Sequence, residues 1–153
     1  MSEKIFPTAQ DAENAFYEAL ERADLDAMMS VWAEDEEIVC VHPTGPRLSG
    51  QDQVRESWAQ IFSGGGRARV HVTSQIAMSA MMMQVHSVQE NFTAEGGQGQ
   101  SRGDARPVPI VATNVYLRSG AGWRMIVHHA SPAPAPAKAP ARQGQGGGPK
   151  ILH

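Results

Sequence analysis

The sequence predicts an α+β fold, with three N-terminal helices packed on one face of an antiparallel sheet and an extended C-terminal tail. Three observations carry this. Apolar residues recur at helical spacing as far as Phe62. Beyond Gly66 they alternate with polar ones up to Ser131. From Pro132 the chain is almost entirely Ala, Pro, Gly and Gln. Helices first and strands afterwards argue an α+β arrangement with the two kinds of element segregated. Residues 1–131 therefore form one domain, and residues 132–153 a Pro/Ala/Gly-rich disordered tail.

Each element has its local reason. Thr8 caps a first helix over about residues 8–22, with Ala12, Ala15, Phe16, Ala19 and Leu20 on its apolar stripe. Asp24 caps a short second helix carrying Leu25, Met28, Met29 and Trp32. Glu37 to His42 reads as a strand, rich in β-branched residues. Pro43-Thr44-Gly45-Pro46 breaks it. Ser49 or Gly50 opens a third helix, which buries Val54, Trp58, Ile61 and Phe62 and stops at Gly64-Gly65-Gly66. Strands follow over 69–79, 81–93, 108–118 and 122–131. A loop rich in Gly and Gln spans 94–106, and Ser119-Gly120-Ala121-Gly122 is a hairpin turn.

Composition excludes several classes. Hydrophobic residues make up 41% and charged residues 19%, and the tail dilutes both. No apolar run approaches the roughly 18 residues of a membrane span, and the N-terminus lacks a signal-peptide pattern. A cytoplasmic location is the default. The single cysteine, Cys40, rules out an internal disulfide framework. The net charge of −3 hides an asymmetry: residues 1–60 hold thirteen acids and four bases, residues 61–131 three acids and six bases. There is no basic stripe interleaved with aromatics, so nucleic acid is not the expected partner.

Two stretches resemble a known family. One is A-F-Y-E-A-L-E-R-A-D-L-D-A-M-M-S-V-W-A-E-D, continued by the strand E-I-V-C-V-H-P and by Gly50-Gln51-Asp52-Gln53-Val54-Arg55. The other is the closing strand G-A-G-W-R-M-I-V-H-H-A-S. Together they are similar to the SnoaL-like branch of the nuclear transport factor 2-like superfamily, over residues 8–131. The resemblance implies a strongly bent antiparallel sheet wrapped round the helices into a cone, a pocket open at one end, and a homodimer formed through the outer sheet face. It implies a small, largely apolar organic ligand and no cofactor. Fold alone does not define the function.

The steroid isomerases of this fold place an Asp after the first strand, a Tyr on the first helix and an acid on the penultimate strand. By the resemblance those positions fall on His42, on Phe16 with Tyr17 one residue further, and on Asn114. Copying the isomerase label is therefore unwarranted, yet the replacements keep useful chemistry. His42 could serve as a base near neutrality and Asn114 as a donor to a carbonyl oxygen. Alternation puts Trp123, Met125, Val127, His129 and Ser131 on one face of the last strand. The resemblance turns that face to the cavity, which makes His129 the rival base. His86 and Glu90 share a face two pleats apart. Tyr116, Trp32 and Trp58 complete the expected pocket. Each of these residues also has a plain structural reading as a core or surface side chain. His42, His86, His129 and Glu90 are metal-ligand types, but no short metal-ligand motif is present, so a proton-transfer or hydrogen-bond role is the expectation. The methionines, Met28, Met29, Met78 and Met81 to Met83, read first as core filling. The expected function is cofactor-free isomerisation, elimination or hydration next to a carbonyl. The alternative is a non-catalytic ligand-binding or dimerisation module.

Overall fold

The computed structural model of the chain describes residues 4–34, 36–94 and 108–134. Helix α1 (Ala9–Arg22) starts where the Thr8 hydroxyl accepts the Asp11 N–H, and ends at Ala23 in the left-handed conformation. The Asp24 carboxylate caps α2 (Leu25–Val31) by accepting the Ala27 N–H. Strands β1 (Val39–Val41) and β2 (Arg47–Ser49) form a short antiparallel pair ahead of α3 (Gln51–Ser63). Four longer strands follow: β3 (Ala68–Ser79), β4 (Met83–Ala94), β5 (Val108–Ser119) and β6 (Gly122–Pro132).

The six strands make one open sheet in the order β2-β1-β6-β5-β4-β3. Two expectations need correcting. The sheet is mixed, because β1 lies parallel to β6. Parallel neighbours need a long crossover, and α3 with the β3–β5 meander supplies it. A short strand, β2, also stands in the segment that the sequence reads as a break running into the third helix. The predicted loop over 94–106 falls almost wholly outside the described residues, and so does the tail from residue 135.

Helix α1 lies over the inner face of the sheet. Its buried residues Ala12, Glu13, Phe16, Tyr17 and Ala19 span a broad stripe. Phe16, Met28, Trp32, Ile38, Tyr116 and Met125 are among the fully buried side chains of the core. Core filling holds for Met28 but not for Met78, Met81, Met82 and Met83, which are exposed around the β3–β4 turn.

Two bulges reset which residues face inward. On β3 the register shifts between Thr73 and Ile76, where Ser74 takes a φ of 56°. On β6, Val115 pairs with Val127 while Tyr116 pairs with Met125, so Ile126 is an extra residue.

Gly122 has a φ of +91°, and a Cβ there would lie 2.7 Å from the Phe6 carbonyl oxygen. Backbone strain and that clash fall together. Gly122→Ala is therefore expected to lower stability by about 1–3 kcal/mol, read as a fall in the urea midpoint. An unchanged midpoint would show that the Phe6 segment moves aside freely.

Candidate functional site

A cavity of about 210 Å³ opens between the end of α1, helix α3 and the inner face of β4 and β6. Trp58, Phe62 and Phe92 give it apolar walls, and His42, Glu90 and His128 bring titratable groups to it. A larger groove of about 510 Å³ runs between α1 and β3, but it is open and its lining is dominated by polar side chains such as Glu18, Glu21, Thr73 and Gln75. The less open, mostly apolar cavity with convergent polar groups is the better small-molecule site.

Local structure delivers each of the three groups. His42 directly follows β1, at a turn closed by the Gly45 N–H on its carbonyl. Glu90 follows His86 and Val88 at period two along β4, and all three are buried. His128 faces inward because the β6 bulge shifts the alternation by one residue.

Hydrogen bonds behind the histidines fix their tautomers. The Ser57 hydroxyl donates to the Val54 carbonyl at 2.8 Å, which leaves its oxygen to accept from His42 Nε2 at 3.0 Å; the Cys40 sulfur lies 3.7 Å from the same nitrogen. His42 Nδ1 has no hydrogen bond among the described residues. Asn114 Nδ2 donates to the Tyr17 oxygen at 3.0 Å and faces Glu13 Oε2 at 3.4 Å. Its Oδ1 therefore faces His128 Nδ1, 2.6 Å away, and that nitrogen carries the proton. His128 Nε2 is left bare, with no hydrogen bond among the described residues.

Burial sets the protonation of these groups. It pushes His128 down to about 3, helped by the neighbouring His42 and His129, and it also lowers His42. Burial raises Glu90 to about 7; the Tyr17 hydrogen bond opposes that rise and the charge of Glu13 adds to it. The Tyr17 hydroxyl donates to Glu90 Oε2 at 2.6 Å and is held far above its ordinary range by burial and by that carboxylate. Cys40 is pushed up to about 12 by burial, so it is a thiol and not a nucleophile.

His128 makes stability pH-dependent. Its folded value lies below the unfolded 6.5, so below pH 6.5 the unfolded chain binds a proton that the native chain refuses. Stability is expected to fall with pH between about 6.5 and 3, at up to about 1.4 kcal/mol per pH unit from this group. Urea titrations of wild type and His128→Gln across that range would check it; parallel curves would refute it.

A second cluster sits beside the first. Glu13 Oε2 accepts from His86 Nδ1 at 2.8 Å and from the Tyr116 hydroxyl at 2.8 Å, and Oε1 accepts from Gln75 Nε2 at 2.7 Å. Gln84 Oε1 meets the other His86 nitrogen at 3.1 Å. Tyr116 is held well above its usual value by burial and by Glu13. Asn114 and Tyr17 join this cluster to Glu90 and His128.

The cavity thus brings together three of the sequence-predicted residues: His42, Trp58 and Glu90. Phe16 packs beneath it, 4.8 Å from the His128 ring and 5.6 Å from Trp58. Tyr17 stands behind Glu90, and its hydroxyl reaches the interior despite lying one residue past Phe16, because the buried stripe of α1 is broad. His86 and Tyr116 belong to the Glu13 cluster. Trp32 lies in the core and does not line the cavity.

Three placements are corrected. His129 is exposed, and Val127 lies half-buried away from the inward residues His128 and Ala130. Strict alternation fails there because Ile126 is bulged. Asn114 is fully buried with its amide engaged on both sides, so it orients His128 and does not line the cavity.

Sequence reasoning missed Glu13, Gln75 and His128. Glu13 had a signal, since it sits three and four residues before Phe16 and Tyr17 on the apolar face. The run Met125-Ile126-Val127 marked the break in β6 alternation. Gln75 had none, because the β3 bulge aims it. Among the described residues, no group of three or more His, Cys, Asp and Glu side chains is placed to hold a metal ion. No helix there is long and apolar enough to cross a membrane.

An open mixed sheet, three helices and a largely apolar cavity define a class of α+β proteins that comparison with known proteins identifies. The chain belongs to the SnoaL-like domain family, which matches residues 10–136. It is similar to a candidate calcium/calmodulin-dependent protein kinase type II association domain from Thiobacillus denitrificans: 39% identity, TM-score 0.76, covering 86% of this chain and 99% of that one. It is also similar to a candidate dehydratase of the NTF2-like family from Streptomyces avermitilis: 32% identity, TM-score 0.70, covering 81% and 93%. Among curated proteins it is 25% identical over 118 residues to the F-box protein SKIP8 of Arabidopsis thaliana. That match takes in 76% of this chain but spans only 46% of the relative's length. The SnoaL-like family is a small-molecule-binding fold family.

Proposed function

We propose that the protein binds a small, largely apolar carbonyl compound and moves a proton next to the carbonyl without a cofactor, with Glu90 as the base. The observation that carries this is a carboxyl group at an apolar cavity that titrates near neutrality and is anchored by Tyr17 through one oxygen. A base with a value close to the working pH is the most effective kind. Glu90 takes a C–H proton and the electron pair moves toward the carbonyl. Return of the proton at another carbon completes an isomerisation. Departure of a neighbouring hydroxide with that proton, as water, completes an elimination. The likeness to a candidate dehydratase supports the second outcome. His42 and His128, both neutral, serve as hydrogen-bond acceptors for ligand.

The test is deuterium exchange, followed by NMR, at the carbon next to the carbonyl in a panel of cyclic ketones in D₂O. Exchange above the buffer rate supports the reading, and its absence across the panel overturns it.

A second reading, an assembly module acting as a homodimer in the cytoplasm, is favoured by a different observation. Ile76, Met78 and Met81 are exposed on the edge strand β3 and its turn, and a 39% identical relative is named an association domain. Sedimentation of the wild type against Met78→Lys would test it; a monomer in both overturns it.

A further inference from the structure

We infer that the cavity takes a planar, single-ring hydroxy compound, a phenol or the enol of a cyclic ketone, whose O–H donates to the bare Nε2 of His128. The inference deepens the reading of this cavity as a small-molecule site and rests on it. His128 is only 3% exposed and lines the cavity. Its other nitrogen is committed to Asn114, which is held in turn by Tyr17 and Glu13. The ring can neither flip nor change tautomer without breaking that chain.

This acceptor opens onto the cavity, where a ligand donor can reach it. A ligand hydroxyl supplies one, and an ether or a plain hydrocarbon does not. His42, next to β1, the strand neighbouring β6, repeats the arrangement, with Nε2 tied to Ser57 and no hydrogen bond to Nδ1 among the described residues. Size narrows the class. About 210 Å³ is below the roughly 300–1,000 Å³ of sites for drug-sized ligands, which matches a single ring. Flat walls come from Trp58 and Phe62, whose rings are 5.5 Å apart, and His42 stands edge-on to Trp58 at 4.7 Å.

The experiment uses phenol and its methyl ether, anisole, as probes. Their Kd values are measured by calorimetry on the wild type, His128→Phe and His128→Gln, while the His128 ring is followed by ¹⁵N NMR. Phenol is expected to bind the wild type about tenfold tighter than anisole, the factor that one hydrogen bond of about 1.4 kcal/mol gives, and to move the Nε2 resonance. His128→Phe should bring the ratio close to one, and His128→Gln, which keeps an acceptor, should preserve a preference. Equal affinities, a preference that survives in His128→Phe, or no binding of either probe at millimolar concentration would overturn the inference. Deuterium exchange on ketones separates the two ideas. Exchange without phenol preference leaves Glu90 catalysis standing and removes the hydroxyl site. Phenol preference without exchange does the reverse.

Discussion

Glu90→Gln is expected to lower kcat by about 10²–10⁴, the usual range for losing a positioned general base. The fold should survive, because a glutamine oxygen can still accept from Tyr17. The pH profile sharpens the test. Glu90 acts as a base only when ionised, so kcat/KM of the wild type should climb with pH and level off above about 7. Stability should move the other way. The folded value lies above the unfolded 4.5, so between pH 4.5 and 7 the native chain binds more protons. Stability from this group falls as pH rises through that window, and its full penalty is present above pH 7. At pH 8 the Gln variant should therefore be at least as stable as wild type. Undiminished exchange in the variant, or a flat wild-type profile near 7, would remove Glu90 from the mechanism.

Glu13→Ala is expected to cost about 3–5 kcal/mol, because it strands several buried donors at about 1–3 kcal/mol each. Four donors face that carboxylate: His86, Tyr116, Gln75 and, at longer range, Asn114. Alanine leaves all of them without it in a region where only about 1–2% of Glu13 and His86 is exposed. With a urea m-value of about 1–3 kcal/mol/M for a chain of this size, the midpoint should drop by more than about 1 M. The double variant Glu13→Ala/His86→Leu should lose less than the sum of the two single variants, since each single change strands the other group. Additive losses would mean that the pair is not coupled. Glu13→Gln offers a milder probe: removing the negative charge takes away one of the influences that raise Glu90, so the rise in kcat/KM should shift to lower pH.

Much of the architecture was legible in the sequence because it follows from local causes. Thr8 and Asp24 mark helix starts by capping chemistry, and both caps are made. The switch from helical to alternating periodicity after Gly66 marks the entry to β3. His86, Val88 and Glu90 share one face of β4 because side chains alternate along a strand, and all three are buried. The pattern could not say which way that face turns, since orientation depends on what packs against it.

The residues from His42 to Glu90 that meet at the cavity come from different elements, and only folding brings them together. The sequence by itself determined the helices, the long strands, and the chemical supply of His, Glu, Tyr and Asn side chains. The tertiary structure decided which of them act together. One extra residue in β6, Ile126, reverses the facing of everything after it, so His128 enters the interior and His129 leaves it. A bulge is set by how two strands pair, and pairing is a non-local property. Glu13 shows the same division. On a helix in water it is one more acid; against β4 and β5 it becomes the carboxylate that gathers His86, Tyr116 and Asn114.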